Sequence, residues 1–393
     1  MNSVPYYWRF SAFYGFYFGS LGALIPYWGL YLQTLGYDAK AIGELIAIIL
    51  ATKIIAPNIW GWLADHTGRH IALVRVTSLL TVLCFLGVLI GDSYLWLAFV
   101  MAMFSFFWNA ALPQFEATTM AHLGTQAHRY SQIRLWGSVG FIAAVVLLGW
   151  LFEYVSITLL PIILASLLAG IALTSWLVPE KITTPRQSNN TESFYQVIKQ
   201  PAVIALFLVC FLMQASHGPY YTFYSIYLQD YGYSRDLIGQ LWALGVLAEI
   251  GIFLVMHHWL KHYRLNSLLT ISLAITGGRW LLIGYSVESL PILLFAQLLH
   301  GASFGVFHGV AMQFIRQYFG DHQMGRAQAL YGSFSFGAGG AVGSLISAYT
   351  WDSGSAHLSY LWAAATCAVA VWISWQWVGR IQENRTNETS REK

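Results

Sequence analysis

Charge is what this sequence has least of. Only 9% of its 393 residues are Asp, Glu, Lys or Arg, against about 25% in soluble domains. A chain so poor in charge cannot cover its surface in water, so its main solvent is lipid. Cysteine is almost as scarce. Cys84, Cys210 and Cys367 lie singly in apolar runs, which excludes a disulfide framework and a thiolate metal centre. A formal net charge of +3 with no separate basic block gives no sign of a nucleic-acid partner. No phosphate-binding Gly-Lys-Ser/Thr loop is present, which argues against an ATP-driven pump. His258 and His262 stand four apart, but without the Glu of a metalloprotease motif. No enzyme, no metal and no cofactor are expected. The N-terminus also lacks the charged start and cleavage site of a signal peptide, so the first apolar run, Trp8 to Leu32, is expected to be retained as a span.

What fills the chain instead is apolar: 57% hydrophobic and 16% aromatic residues, in runs that recur from end to end. A helix needs about 20 mostly apolar residues to cross the hydrocarbon core. On that measure the sequence predicts twelve spans, at 8–33, 42–63, 71–91, 94–121, 131–153, 156–178, 201–229, 237–258, 267–287, 290–318, 327–350 and 358–379. The one long polar connection, Pro179 to Lys199, contains Thr183-Thr184-Pro185-Arg186-Gln187-Ser188-Asn189-Asn190 and reads as a flexible linker. It divides the chain into a first bundle at 1–179, a linker at 180–199, a second bundle at 200–380 and a polar tail at 381–393. Lys and Arg then set the orientation. One set of connections carries Arg69, Arg75, Arg129, Lys181, Arg186, Lys199, Lys261, Arg264, Arg316 and Arg326, and the tail adds Arg380, Arg385, Arg391 and Lys393. The opposite loops carry only Lys40 and Arg235. Both termini are therefore expected in the cytoplasm.

The sequence nearly repeats itself 196 positions along. Tyr31-Leu32-Gln33, Gly36-Tyr37 and Ile42-Gly43 recur as Tyr227-Leu228-Gln229, Gly232-Tyr233 and Ile238-Gly239. The same offset carries Lys53 onto Glu249, and nearly the same shift brings Trp136-Gly137-Ser138 onto Tyr331-Gly332-Ser333. Two parallel six-helix halves related about the membrane normal imply a site near the midplane.

Between the second and third spans stands Gly61-Trp62-Leu63-Ala64-Asp65-His66-Thr67-Gly68-Arg69-His70. Gly61 permits close helix approach, Gly68 a tight turn, and Asp65 and Arg69 are placed to pair or to cap helix ends. The segment resembles the signature loop of the major facilitator superfamily, with His66 and His70 at positions often basic there. The matching loop of the second half, His257 to Asn266, lacks the pattern. Within that superfamily the chain is most similar to the lactose-permease-like branch, especially the bacterial phenylpropionate permeases. The similarity rests on Ile133-Arg134-Leu135-Trp136-Gly137-Ser138, Leu244-Gly245-Val246-Leu247-Ala248-Glu249, Gly278-Arg279-Trp280, and Leu299-His300-Gly301 through Gly305-Val306-Phe307-His308. The resemblance implies an all-α membrane protein with the major facilitator fold, twelve transmembrane helices in two pseudo-symmetric six-helix bundles. It also implies a monomer of the bacterial inner membrane that moves a small solute, commonly with protons. Members carry aromatic acids, sugars or nucleosides. An aromatic-carboxylate symporter therefore stands beside a sugar or nucleoside permease, a non-coupled facilitator and a transport-like receptor.

An ionisable side chain near the bilayer centre costs about 3 kcal/mol or more unless paired or hydrated. Lys53, Glu116, Arg134, Glu249, Arg279, His300 and His308 all fall inside predicted spans. Two acids against three permanent bases leave room for an anion. Glu249 lies about four turns from either end of its span, beyond the reach of snorkelling. A carboxyl there that alternates between ionised and neutral forms suits a proton carrier; a permanent salt bridge with Arg279 is the structural alternative. The resemblance implies that an acid on the eighth span, an Arg on the ninth and a His on the tenth serve coupling and substrate, matching Glu249, Arg279 and His300 or His308. The further acid that sugar symporters carry on the tenth span is missing here. On this reading Glu249, His300 and His308 handle the proton. Arg279, Glu116, Arg134, Lys53, Tyr221, Tyr224 and Trp136 contact the solute, and Gly61, Asp65, Gly68 and Arg69 form the gating loop. Glu116 and Arg134 match substrate-binding positions of the branch's sugar transporters and would equally serve as a structural pair or latch. Lys53, the sign-reversed mate of Glu249, lines an asymmetric cavity or pairs with it.

Rings crowd the first and seventh spans, with Tyr14, Tyr17, Tyr221 and Tyr224 deep enough to need hydroxyl partners. His217-Gly218-Pro219 is expected to break the seventh helix. Gly332, Gly337, Gly339, Gly340 and Gly343 are expected to let the eleventh helix pack closely or slide.

Overall fold

The computed structural model describes residues 6–181, 191–353 and 355–378. The polar run 183–190 with Arg186 and the tail with Arg380, Arg385, Arg391 and Lys393 lie outside the described residues. The described residues contain no strand. The helices are α1 (Tyr7–Thr34), α2 (Ala39–Thr67), α3 (His70–Phe85), α4 (Tyr94–Leu123), α5 (Tyr130–Tyr154), α6 (Leu160–Leu177), α7 (Thr191–Ile198), α8 (Pro201–Ser216), α9 (Gly218–Asp230), α10 (Arg235–His262), α11 (Leu265–Tyr285), α12 (Leu290–His300), α13 (Phe307–Tyr331), α14 (Gly340–Ser353) and α15 (Ala356–Trp377). Among the described residues, 9 helical stretches are long and apolar enough to cross a membrane, one of them Tyr94–Tyr154, which contains both α4 and α5. With that stretch taken as two, and with α1 and α2, which match the others in length, the twelve expected spans are present.

The internal repeat turns out to encode a corner. After α1, Gly36 adopts φ 87°. Its N–H donates to the Gln33 carbonyl at 3.0 Å, while the Tyr37 N–H reaches back to Leu32 at 3.3 Å. After α9, Gly232 adopts φ 81°, and Gly232 and Tyr233 bond Gln229 and Leu228 at 2.9 and 3.1 Å. Both are Schellman caps, which need a residue free to enter the left-handed region. The next helix begins in the same way in each copy. Asp38 accepts from the Ala41 N–H at 2.8 Å, and Ser234 accepts from the Leu237 N–H at 3.2 Å. Side-chain N-caps of this kind satisfy amides that the first helical turn leaves unpaired.

The chain forms two compact units, Met1–Gln187 with Tyr220–Ala243, and Ser188–Pro219 with Leu244–Lys393. In the first, α1 and α5 meet backbone to backbone: a Cβ on Gly22 would stand 2.8 Å from the Phe141 carbonyl. Tyr220–Ala243 joins this unit because Arg235 donates to the Phe152 carbonyl at 3.0 Å and the Asp236 N–H to Glu153 at 3.2 Å. In the second unit Gly218, which is Gly22 carried along by 196 positions, packs against Gly343. Small residues let helices approach closely where lipid supplies no hydrophobic drive. The seventh span breaks where expected, between α8 and α9, and His217 Nδ1 lies 2.9 Å from the Met213 carbonyl.

One sequence expectation needs correction. The linker is not wholly flexible: α7 occupies its end, with Phe194 5.1 Å from Phe319 and Val197 and Ile198 packed on the same core. The amphipathic spacing of those three residues supplies the reason. The glycine-rich part of the eleventh span packs closely, with Gly339 and Gly343 against the α8 backbone at Phe211 and Ala215, and it departs from regular α-helix. Gly332–Gly339 is a π-helix, as is Gly301–Val306 in the tenth.

Basic residues, two of them from the set that orients the chain, also finish helices. Arg75 Nη2 donates to the Val178 carbonyl at 2.7 Å, Arg9 Nη1 to Leu177 at 2.9 Å, and Lys181 Nζ to Ala121 at 2.6 Å. Each meets carbonyls left unpaired at a helix C-terminus, where positive charge is favoured. Arg75→Ala should therefore lower stability by about 1.5–3 kcal/mol, read as a drop in Tm in detergent. Arg69→Ala, on an exposed side chain, should change it little. Equal effects would remove the capping role.

Candidate functional site

In the second unit, α10 carries Glu249 to within 3.9 Å of His300 Nε2, at the end of α12. The approach depends on missing side chains. A Cβ on Gly301 would stand 2.6 Å from the Ala248 carbonyl, and one on Gly305 would stand 3.4 Å from Glu249 Cγ. The π-turns starting at Gly301 close their hydrogen bonds five residues back, which brings residues four apart nearly into line. His300 and Phe304 stack at 5.6 Å and 14°, Phe304 and His308 at 6.0 Å and 3°. His308 Nδ1 lies 3.2 Å from the Tyr331 hydroxyl.

Arg279 on α11 is wholly buried. Its Nε donates to the Ala296 carbonyl at 2.8 Å, its Nη2 to Gln297 Oε1 at 3.2 Å, and the guanidinium lies 4.7 Å from the Trp280 ring. These contacts fix the turn of α12 that ends at His300. His217 sits in the same cluster, edge-on to Trp280 at 4.8 Å and 6.3 Å from Phe304. In the sequence it reads only as a helix breaker. Its place one residue ahead of Gly218-Pro219 carries no signal of these neighbours.

In the first unit Arg134 and Glu116 stand 3.9 Å apart and remain partly exposed. The Tyr130 hydroxyl donates to Glu116 at 3.1 Å. The Arg134 guanidinium lies 3.8 Å from the Phe18 ring, in the geometry of a cation–π contact. Gly137 makes the space, since a Cβ there would stand 2.7 Å from both Arg134 Nη1 and Phe18. The Tyr14 hydroxyl pairs with Thr119 at 3.3 Å, and Phe13 stacks on Phe115 at 3.6 Å. Nothing in the sequence singles out Tyr130 or Phe18, although Gly137, three residues beyond Arg134, is the small residue that such crowding needs.

The remaining candidates divide. Tyr221 and Tyr224 pack round Trp242 at 6.3 and 5.8 Å, and Trp242 donates to Ser225 at 3.0 Å. Trp136 donates its indole N–H to the Tyr7 hydroxyl at 2.9 Å, and its ring lies 5.2 Å from Trp8 at the start of α1. In the signature segment Gly68 makes the left-handed turn at φ 67°, bonding Ala64 at 2.8 Å. Gly61 lies beside Gln114. Asp65 and Arg69 are both exposed and form no ion pair among the described residues, because the turn at Gly68 separates them. His70 instead ties this corner to α4, its Nδ1 2.8 Å from Gln114. Lys53 on α2 has no hydrogen-bond or ion-pair partner among the described residues.

A family model described as "MFS_1 like family" matches residues 7–362. The probable 3-phenylpropionic acid transporter of Escherichia coli (strain K12) is 31% identical over 346 residues, covering 86% of this chain and 89% of that protein. The maltose permease of Geobacillus stearothermophilus is 24% identical over 362 residues, covering 89% and 90%. The crystal structure of the nucleoside transporter NupG superposes with a TM-score of 0.83 at 16% identity, covering 95% of this chain and 98% of that one. This likeness establishes the fold.

Proposed function

This chain belongs to the MFS_1 like family of transporters, and from that premise we propose that it imports a small aromatic carboxylate, of the phenylpropionate kind, together with protons. The halves 1–179 and 200–380 alternate access to a central site. The observation that supports coupling is the mid-span contact of Glu249 with His300 at 3.9 Å. Two groups able to share one proton at that depth are expensive to keep unless they are used. Glu249 carries the proton, His300 and His308 extend its path, and Arg279 holds the helix turn that presents His300. Arg134 with Glu116, and Tyr221 and Tyr224, shape the solute's surroundings. Gly61, Asp65, Gly68 and Arg69 belong to the gating corner. The chain works as a monomer in the bacterial inner membrane, with both termini cytoplasmic.

The test is uptake of 3-phenylpropionate into proteoliposomes under an imposed pH gradient, with protein-free liposomes setting the passive entry of the neutral acid. One proton per solute predicts accumulation of about tenfold per pH unit, collapsed by a protonophore. Equal protein-dependent uptake with and without protonophore would leave a facilitator. Accumulation of maltose or xanthosine instead would replace the substrate.

A further inference from the structure

We infer that Lys53 reads the carboxylate of the solute and that the transported species is therefore a monocarboxylate anion. The inference deepens the aromatic-carboxylate reading and rests on it. Charged side chains buried in a membrane protein pair almost without exception. Glu116 is committed to Arg134 and Glu249 to His300, each at 3.9 Å. The Arg279 guanidinium donates to Ala296 and Gln297. Lys53 alone of these cations stands without a partner among the described residues.

Its position excludes a lipid-facing role. At about 100° per residue, Lys53 falls on the face of α2 opposite the exposed stripe of Ile54, Ile55, Ile59 and Trp62. Its chain neighbour Thr52 is tied to α4. Thr52 Oγ1 donates to Ser105 at 2.9 Å, and Asn109 Nδ2 donates to Thr52 Oγ1 at 2.9 Å and to the Ile49 carbonyl at 3.2 Å. This ladder pins α2 to α4 at the depth of Lys53 and leaves the ammonium for an acceptor that comes and goes. One such charge matches one carboxylate. An amide leaves the ammonium uncompensated, and a dicarboxylate brings a second charge with no counterpart.

The test is binding to the purified full-length protein, with 3-phenylpropionate, 3-phenylpropanamide and phenylsuccinate as probes and maltose and xanthosine as controls. Wild type should bind 3-phenylpropionate tighter than the amide by about 10- to 100-fold, the range of a hydrogen bond to a charged group. Lys53→Gln should bring the acid down to the amide's affinity, and Lys53→Arg should restore most of the difference. Without ligand, Lys53→Gln should melt at or above the wild-type temperature, since no pair is broken. A variant that keeps the wild-type preference for the acid overturns the assignment and leaves the aromatic-carboxylate reading standing. A ligand-free variant that melts well below wild type also overturns it, by making Lys53 structural. Wild type that binds none of the acids, or binds maltose or xanthosine in their place, overturns both together.

Discussion

Vesicles carrying Glu249→Gln will exchange solute across the membrane but will not concentrate it. Gln keeps the shape of Glu, so the close packing at Gly301 and Gly305, where a Cβ would lie 2.6 Å from the Ala248 carbonyl and 3.4 Å from Glu249 Cγ, is preserved. What is lost is the ability to release a proton. The amide resembles the protonated carboxyl, and exchange uses only the loaded carrier, so counterflow should continue. Net uptake requires the empty carrier to return without its proton, and that step has no substitute. The accumulation ratio should fall from about tenfold per pH unit to about one, with counterflow retained. Normal accumulation by the variant would end the carrier role for Glu249. Loss of counterflow with a fallen Tm would instead show Glu249–His300 to be a structural pair, whose breaking costs about 3–5 kcal/mol.

The spans and the duplication were legible because each rests on a short-range rule. Apolar length gives a helix, and the residues repeated at 31–43 and 227–239 are those that a Schellman cap and an N-cap require. Gly68 was legible for the same reason. The π-helices at Gly301–Val306 and Gly332–Gly339 were not. Glycine in a span announces close packing, but whether the helix also widens depends on the neighbour, here the α10 backbone at Ala248. The motif around Trp136 fixes its place in sequence and not its rotamer, which Tyr7 and Trp8 settle from another helix. Asp65 and Arg69 are four apart, a pairing distance on a continuous helix, and the left-handed residue between them removes that continuity. The embedded charges were all visible as residue types. Which of them are spent on partners and which is left over depends on three-dimensional packing, and that distinction singles out Lys53.

Gly239→Leu will stop transport while leaving solute binding largely intact. Gly239 lies in the first turns of α10, where a Cβ would stand 2.7 Å from the Tyr27 hydroxyl and overlap the Val145 carbonyl of α5. Tyr27 already donates to that carbonyl at 2.5 Å, and across the same contact a Cβ on Gly149 would stand 2.6 Å from the Arg235 carbonyl. No side chain fits there while α5 and α10 touch. This contact joins helices from the two duplicated halves, so the alternating access proposed above requires it to open and re-form in each cycle. Overpacking costs about 1–3 kcal/mol, which shifts a two-state equilibrium by about 5- to 150-fold. Leucine should reach the upper end, because both obstacles are backbone or held by it, and Gly239→Ala should fall between leucine and wild type. The predicted signature is slow uptake, near-normal binding, and faster alkylation of a cysteine placed at Ser234, on the side the contact would otherwise close. If Gly239→Leu transports at the wild-type rate, α5 and α10 do not need to meet at Gly239 during the cycle. If it loses binding and Tm together, the contact is a fixed seam and the moving surface lies elsewhere.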